Sequence, residues 1–285
     1  MSALDRRMDS RNDVLAYSAT DPAHVARLIV DKAHPFFFDH PLDHVPGLLL
    51  LEAAVQAAQN RAQKPCFVSM IKAEFIQYTT FDTPILVETQ DDAVNGQPIC
   101  RVEISQNGTP RARCDVQLTP LVSPMPRPHP ALHRAERALP PCASQPLNKL
   151  RPENVLISTP VITDTFVEAR LLPMSRSCLL AETVKTVHPL YLLEAFMQVQ
   201  RYLNATQEGD RRIRDILTGV SIMQTAPLAD LSEGVYLRSA REFVPSGRSH
   251  MSRNAWLYAG QKPFAKCAIE TARLSIRAAA SKGAT

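Results

Sequence analysis

The chain is 285 residues long, 45% apolar and 21% charged, with a net charge of +4 and nine glycines. This is the composition of a folded globular chain, one large domain or two ordinary ones, and the mild charge gives no ground for nucleic-acid binding. No apolar run is long enough to span a membrane, the N-terminal MSALDRRMDSRND is too polar for a signal peptide, and neither GxGxxG nor GxxxxGK[ST] occurs. The scattered cysteines Cys66, Cys100, Cys114, Cys142, Cys178 and Cys267 form no CxxC pair, which predicts free thiols in a reducing cytoplasm.

The first predicted strand is Val25–Val30. The segment HPFFFDHPLDHVPG, His34 to Gly47, follows. Its prolines disfavour a helix, so it predicts an ordered loop with aromatic anchors. LLLLEAAVQAAQ from Leu48 is apolar on nearly every face through Ala58, which predicts a buried helix entered through Pro46 and Gly47. Alternating segments then predict strands at Val68–Thr79, Ile85–Asp91, Ile99–Gln106 and Arg111–Thr119. Eight of the 23 prolines fall between Pro120 and Pro146, which marks a stiff linker with room for one helical turn around Ala131–Leu139. Beyond it, strands are expected at Val155–Ile157, Val161–Arg170, Gly219–Gln224, Gly234–Glu242, Ser252–Tyr258 and Phe264–Arg277.

The halves echo each other. LLLLEAAVQ (Leu48–Gln56) and LYLLEAFMQ (Leu190–Gln198) agree at six of nine positions with an offset of 142, including Glu52/Glu194 and Gln56/Gln198. NGTPRARCDVQL around Cys114 and AGQKPFAKCAIET around Cys267 repeat a hairpin-into-strand pattern in the same order. An internal duplication follows. The predicted class is α+β: a curved antiparallel sheet wrapped around one central helix, given twice. The expected boundaries are residues 1–122 for the first repeat, 123–146 for the linker and 147–285 for the second repeat.

Glu52 follows four leucines on a buried helix. An ionised carboxylate there must be paired or have a shifted pKa, which makes it a candidate acid or base. The preceding loop brings His34, His40, His44, Asp39 and Asp43 toward the helix N-terminus. The amides there, near Gly47 and Leu48, can hold an oxyanion. Histidine, glutamate and open amides suit acyl or dehydration chemistry. No metal is expected: His40 and His44 are spaced i, i+4 but not on a helix, and HExxH is absent.

HPFFFDHPLDHVPGLLLLEAAVQAA resembles the signature of the A-factor biosynthesis hotdog family, whose members begin γ-butyrolactone and related butenolide biosynthesis. Arg151-Pro-Glu-Asn-Val-Leu156 resembles the start of that family's second repeat. The resemblance implies a double hotdog, and hence an internal pseudo-dimer with a further homodimer left open. It implies an acyltransferase that passes a β-ketoacyl group from acyl carrier protein to the hydroxyl of dihydroxyacetone phosphate. No cofactor is expected, because the substrate arrives on the phosphopantetheine arm of the carrier. A more distant likeness is to hotdog β-hydroxyacyl carrier-protein dehydratases, whose loop places a glutamate five residues after Pro-Gly, as Glu52 follows Gly47. This makes His40 and Glu52 the matched catalytic positions, with His44 the alternative to His40.

The phosphates would need cations, for which Arg61, Lys72, Arg176 and Arg201 are the candidates. The second half lacks the loop: SCLLAETVKTVHP stands where the first has FFFDHPLDHVPG, and His188 and Glu194 remain as comparable polar groups. One full site is therefore expected, with Glu194 open to a role across the interface between the halves. Two other readings remain: a carrier-protein dehydratase or thioesterase, and a non-catalytic acyl- or signal-binding protein.

Overall fold

In the computed structural model, the described residues are 10–20, 22–62, 65–94, 96–121, 140–173, 186–206, 213–228, 231, 234–246 and 250–275. The expected turn at Ala131–Leu139, Arg176 and Cys178 lie outside them.

The strands of the first half are β1 (Leu15–Ala16), β2 (Val25–Leu28), β3 (Cys66–Phe75), β4 (Ile85–Val94), β5 (Gln97–Gln106) and β6 (Thr109–Pro120). Those of the second are β7 (Val161–Ile162), β8 (Phe166–Arg170), β9 (Ile213–Gln224), β10 (Val235–Ala240), β11 (Val244–Pro245), β12 (His250–Ala259) and β13 (Lys262–Ser275). Among the described residues, helix α1 (Gly47–Arg61) packs on this sheet and touches a second helix, α2 (Pro189–Thr206). No helix among the described residues is long and apolar enough to cross a membrane.

All strands form one antiparallel sheet in the order β1-β2-β4-β5-β6-β3-β9-β13-β12-β10-β8-β7, with β11 on β12. Read outward from the central β3–β9 pair, the two halves have the same order. The central pair runs from Met70 opposite Met223 to Glu74 opposite Gly219. Buried residues alternate along β5 and β6, as one covered face requires. The β5–β6 hairpin turns at Asn107 and Gly108, both with positive φ (54° and 70°), the type I′ geometry whose twist suits a two-residue hairpin.

Helix α1 is buried from Leu49 to Gln59, as its uninterrupted apolar run predicts, and α2 from Pro189 to Phe196. Each fully buried leucine contributes about 2 kcal/mol of apolar transfer. The repeat extends to individual hydrogen bonds. Gln56 accepts from Val14 N at 3.0 Å and donates to Asn12 O; Gln198 accepts from Leu156 N at 2.9 Å and donates to Asn154 O. All three pairs of equivalent residues are separated by the same 142 positions. In each half a buried glutamine on the helix thus stitches down a single 3-10 turn, Ser10–Asn12 or Pro152–Asn154.

Two strand expectations need correction. Val155–Ile157 is not a strand, because Leu156 N is taken by Gln198; only a single bridge from Ile157 to Leu171 forms. Val161–Arg170 is not one strand but a hairpin, β7 against β8, closed where Thr163 bonds Phe166 O.

Candidate functional site

The loop between β2 and α1 is fixed by its own polar groups. His34 Nδ1 accepts from the amides of Phe36 and Phe37, both at 3.2 Å, while its Nε2 faces Asn12 Oδ1. Phe36 and Phe37 are buried in the core, and Val45 N donates to Thr79 O. Asp39 joins this loop to the second half. Its carboxylate accepts from the amides of Leu150 (3.1 Å) and Arg151 (3.0 Å) and from Asn154 Nδ2 (3.1 Å). Three N–H donors thus satisfy the buried carboxylate oxygens. This bridge brings His40, the next residue, to the chain segment that carries Lys149.

The result is a cavity of about 1000 Å³ between the loop, α1 and α2, lined by His40 and His44, by Gly47 and Leu48 of α1, and by Lys149, Glu194 and Arg201. Its apolar walls include Phe36, Leu51, Phe75 and Met197. Glu194 is fully buried. Its Oε1 accepts from Lys149 Nζ (2.8 Å), Arg201 Nη1 (2.6 Å) and Gln198 Nε2 (3.2 Å). Burial by itself would raise the Glu194 pKa, but the charges of Arg201 and Lys149, and their hydrogen bonds, outweigh it and hold the pKa at about 2. Its other oxygen, Oε2, has no hydrogen-bond partner among the described residues, and neither has His40 Nδ1. Burial first, and then the charges of Arg201 and Lys149, lower the His40 pKa; Asp39 and Glu194 oppose them. A neutral imidazole with an open nitrogen is a competent proton acceptor.

Gly47 begins α1, where the first amides have no partner within the helix. A Cβ on Gly47 would lie 3.0 Å from the Phe75 ring, so only glycine lets this aromatic wall close against the helix start. Pro46 is the cap residue rather than the first helical residue.

The structure does not bring His40 and Glu52 into one cavity, contrary to the pairing that the likeness to hotdog dehydratases implies. Glu52 is buried on α1, where Oε1 accepts from Gln56 Nε2 at 2.8 Å and Oε2 lies 3.0 Å from His188 Nε2, off the angle of a good hydrogen bond. His188 Nδ1 accepts from Leu190 N, which leaves the ring proton on Nε2, facing Glu52. The acid facing the His40 cavity is instead Glu194, from the other half.

His44 and Asp43 bond each other at 2.6 Å, with Asp43 almost wholly exposed, and the His44 ring meets Tyr78 edge-on. The His44 hydrogen bond holds the Asp43 pKa below the usual carboxylate range. The cation candidates separate. Arg61 pairs with Asp91 at the far end of α1, and Lys72 is exposed on β3, opposite Asp115 and Ser221; neither lines the cavity. Arg201 does line it. Sequence reasoning missed Lys149 and the bridging role of Asp39. The signal within reach was the RPENVL segment, since Lys149 stands two residues before Arg151.

Residues 7–121 match the family model of the A-factor biosynthesis hotdog domain. The chain is 38% identical over 100 residues to a 2-oxo-3-(phosphooxy)propyl 3-oxoalkanoate synthase of Streptomyces virginiae, covering 34% of each chain. It is 41% identical over 80 residues to the synthase of the same name from Streptomyces coelicolor, covering 28% of this chain and 26% of that one. The aligned part thus spans about a third or less of the length of these curated relatives. Similar solved structures include the dehydratase domain of PpsC from Mycobacterium tuberculosis in complex with C12:1-CoA, at 18% identity and TM-score 0.61, covering 92% of this chain and 99% of that one. A second is the tesB protein of Mycobacterium avium subs paratuberculosis, at 12% identity and TM-score 0.58, covering 91% and 96%. At these identities the likeness is one of fold, and the fold is hotdog. The family likeness thus lies in residues 7–121, while the likeness of fold extends over more than nine-tenths of the chain.

Proposed function

We propose that this protein is an acyltransferase that moves a 3-oxoacyl group from a carrier-protein thioester to the hydroxyl of dihydroxyacetone phosphate. The observation that carries the reading is the presence, in one apolar-walled cavity, of His40, whose buried Nδ1 has no hydrogen-bond partner among the described residues, with a buried, ionised Glu194. The printed name of the synthases similar to residues within 7–121 describes the ester such a transfer would make.

The proposed step uses groups already in the cavity. His40 Nδ1 takes the hydroxyl proton as the oxygen attacks the thioester carbonyl. The tetrahedral oxyanion is held by the amides at Gly47 and Leu48. The imidazolium formed is stabilised by the negative charge of Glu194. The C–S bond then breaks, and the leaving thiolate recovers the proton from His40. The ester and a free carrier thiol result, and the ester can close to a butenolide phosphate when its activated methylene adds to the acceptor's ketone and water is lost. The scheme needs no cofactor beyond the carrier's phosphopantetheine arm. The acyl chain would lie along Leu51, Phe75 and Met197. The equivalent Glu52 has its carboxylate occupied by Gln56 and His188, which supports one working site. Activated carrier protein and a sugar phosphate are cytoplasmic substrates, and we assign the reaction there.

The test is mass spectrometry of purified protein with a 3-oxoacyl carrier-protein thioester, with and without dihydroxyacetone phosphate. The expected product is a phosphorylated ester or butenolide that requires the phosphate compound and is lost in His40→Ala and Glu194→Gln. Release of free acid without it would make the protein a thioesterase, and loss of water from a hydroxyacyl thioester a dehydratase. Acyl binding without turnover would make it a binding protein. Any of these three results overturns the transferase.

A further inference from the structure

The cavity holds a feature that proton transfer at His40 does not use. Lys149 is nearly buried, its side chain 5% exposed, and Arg201 is part-buried. Both spend a donor on the same atom, Glu194 Oε1. Among the described residues neither pairs with a second carboxylate, and Lys149 Nζ otherwise lies 5.7 Å from the centre of the Phe36 ring. Burying a lysine and an arginine against one carboxylate oxygen is costly unless a second anion shares them. The other acid nearby does not do so: the Asp39 carboxylate is turned to the amides of Leu150 and Arg151 and to Asn154. The cavity thus has two cations that share one carboxylate oxygen of Glu194, beside a candidate base.

We propose that Lys149 and Arg201 form a phosphate subsite that anchors the phosphoryl end of the acyl acceptor, a small hydroxylated phosphate monoester. The proposal rests on the transferase reading for the acceptor's hydroxyl, and on this cavity alone for its phosphate. Lysine as a compact charge and arginine as a planar fork are the two side chains suited to phosphate oxygens. The carrier's phosphopantetheine also bears a phosphate, but that group lies a whole pantetheine arm away from the reacting thioester. Lys149 and Arg201 share their cavity with His40, so the phosphate they hold is that of the acceptor.

The experiment is equilibrium binding of inorganic phosphate and of dihydroxyacetone phosphate by calorimetry on the full chain, followed by KM for each substrate. Lys149→Met and, as a less buried variant, Arg201→Met are expected to weaken both ligands about tenfold or more, the loss of one charged hydrogen bond. Both are expected to raise KM for the acceptor and leave KM for the carrier thioester unchanged. Glu194→Gln, which removes the competing carboxylate, is expected to tighten phosphate binding although it abolishes transfer. Retained acyl-thioester binding and an unchanged circular dichroism spectrum serve as the folding control. Phosphate binding that neither methionine variant weakens, a rise confined to the carrier KM, or weaker phosphate binding in Glu194→Gln would overturn the subsite. Binding that follows these expectations without any acyl transfer would leave the subsite standing and remove the transferase.

Discussion

Glu52 and Glu194 occupy the same position on two equivalent helices, and their environments are opposite. Each accepts from a glutamine four residues on, Gln56 at 2.8 Å and Gln198 at 3.2 Å. Glu52 then meets the imidazole of His188, whereas Glu194 meets Lys149 and Arg201 and lines the cavity that contains His40. One of the equivalent acids faces an imidazole and the other faces two cations and a cavity.

Exchange of the two acids is expected to separate activity from stability. Glu194→Gln should lower kcat at least about a hundredfold, the usual scale for a group that stabilises proton transfer. Glu52→Gln keeps the shape of a residue outside the cavity, so it should keep kcat within a few-fold and lower the thermal midpoint modestly. Single-turnover kinetics and a melting curve on both variants check this, and the opposite ranking would return the catalytic role to Glu52.

The rate should depend on pH through His40. Its pKa is lowered, so the neutral base persists below the ordinary histidine range and the acid limb of kcat/KM lies below 6.5. Lys149→Met removes one cause of that lowering, so its acid limb should move to higher pH. Asp39→Asn removes a charge that raises the pKa, so on electrostatics alone the limb should move lower. A pH–rate profile of the three proteins decides the matter.

Acid stability should depend on Glu194. Its pKa in the folded protein is depressed from 4.5 to about 2, so it contributes stability that is complete above about pH 4.5 and is lost as pH falls toward 2. Glu194→Gln removes this dependence. Its urea midpoint should fall less steeply between pH 4.5 and 2 than that of the unmodified protein. Parallel slopes would show that Glu194 is not held ionised by its cations.

The glutamine stitches should matter equally in both halves. Gln198→Ala leaves Leu156 N and Asn154 O without their partner and takes one donor from Glu194, and Gln56→Ala does the same to Val14 N, Asn12 O and Glu52. Buried groups left unsatisfied cost about 1–3 kcal/mol each. Each variant should therefore lose about 2 kcal/mol or more in chemical denaturation, and a smaller loss would mean that water replaces the glutamine.

Much of the architecture could be read along the chain. The apolar run from Leu48 announces α1, alternation marks β5 and β6, and the shared LxLLEAxxQ pattern shows the duplication. Those signals are periodic and local, set by which side of one helix or strand meets the core. The strand expected at Val155–Ile157 failed because a side chain 42 residues away, Gln198, takes its hydrogen bond.

The sequence by itself determined that there are two helix-and-sheet halves and that His40, Glu52, His188 and Glu194 are the polar groups at the two helix starts. Only the tertiary structure decided the pairing. The likeness to hotdog dehydratases implied that His40 and Glu52 work together, yet the Asp39 bridge to Leu150 and Arg151 joins the loop to the second half, beside Lys149, Arg201 and Glu194. The physical reason is that periodicity reports how a segment faces the core, whereas a site between two halves is made by long-range hydrogen bonds between residues more than a hundred positions apart, which no local pattern records.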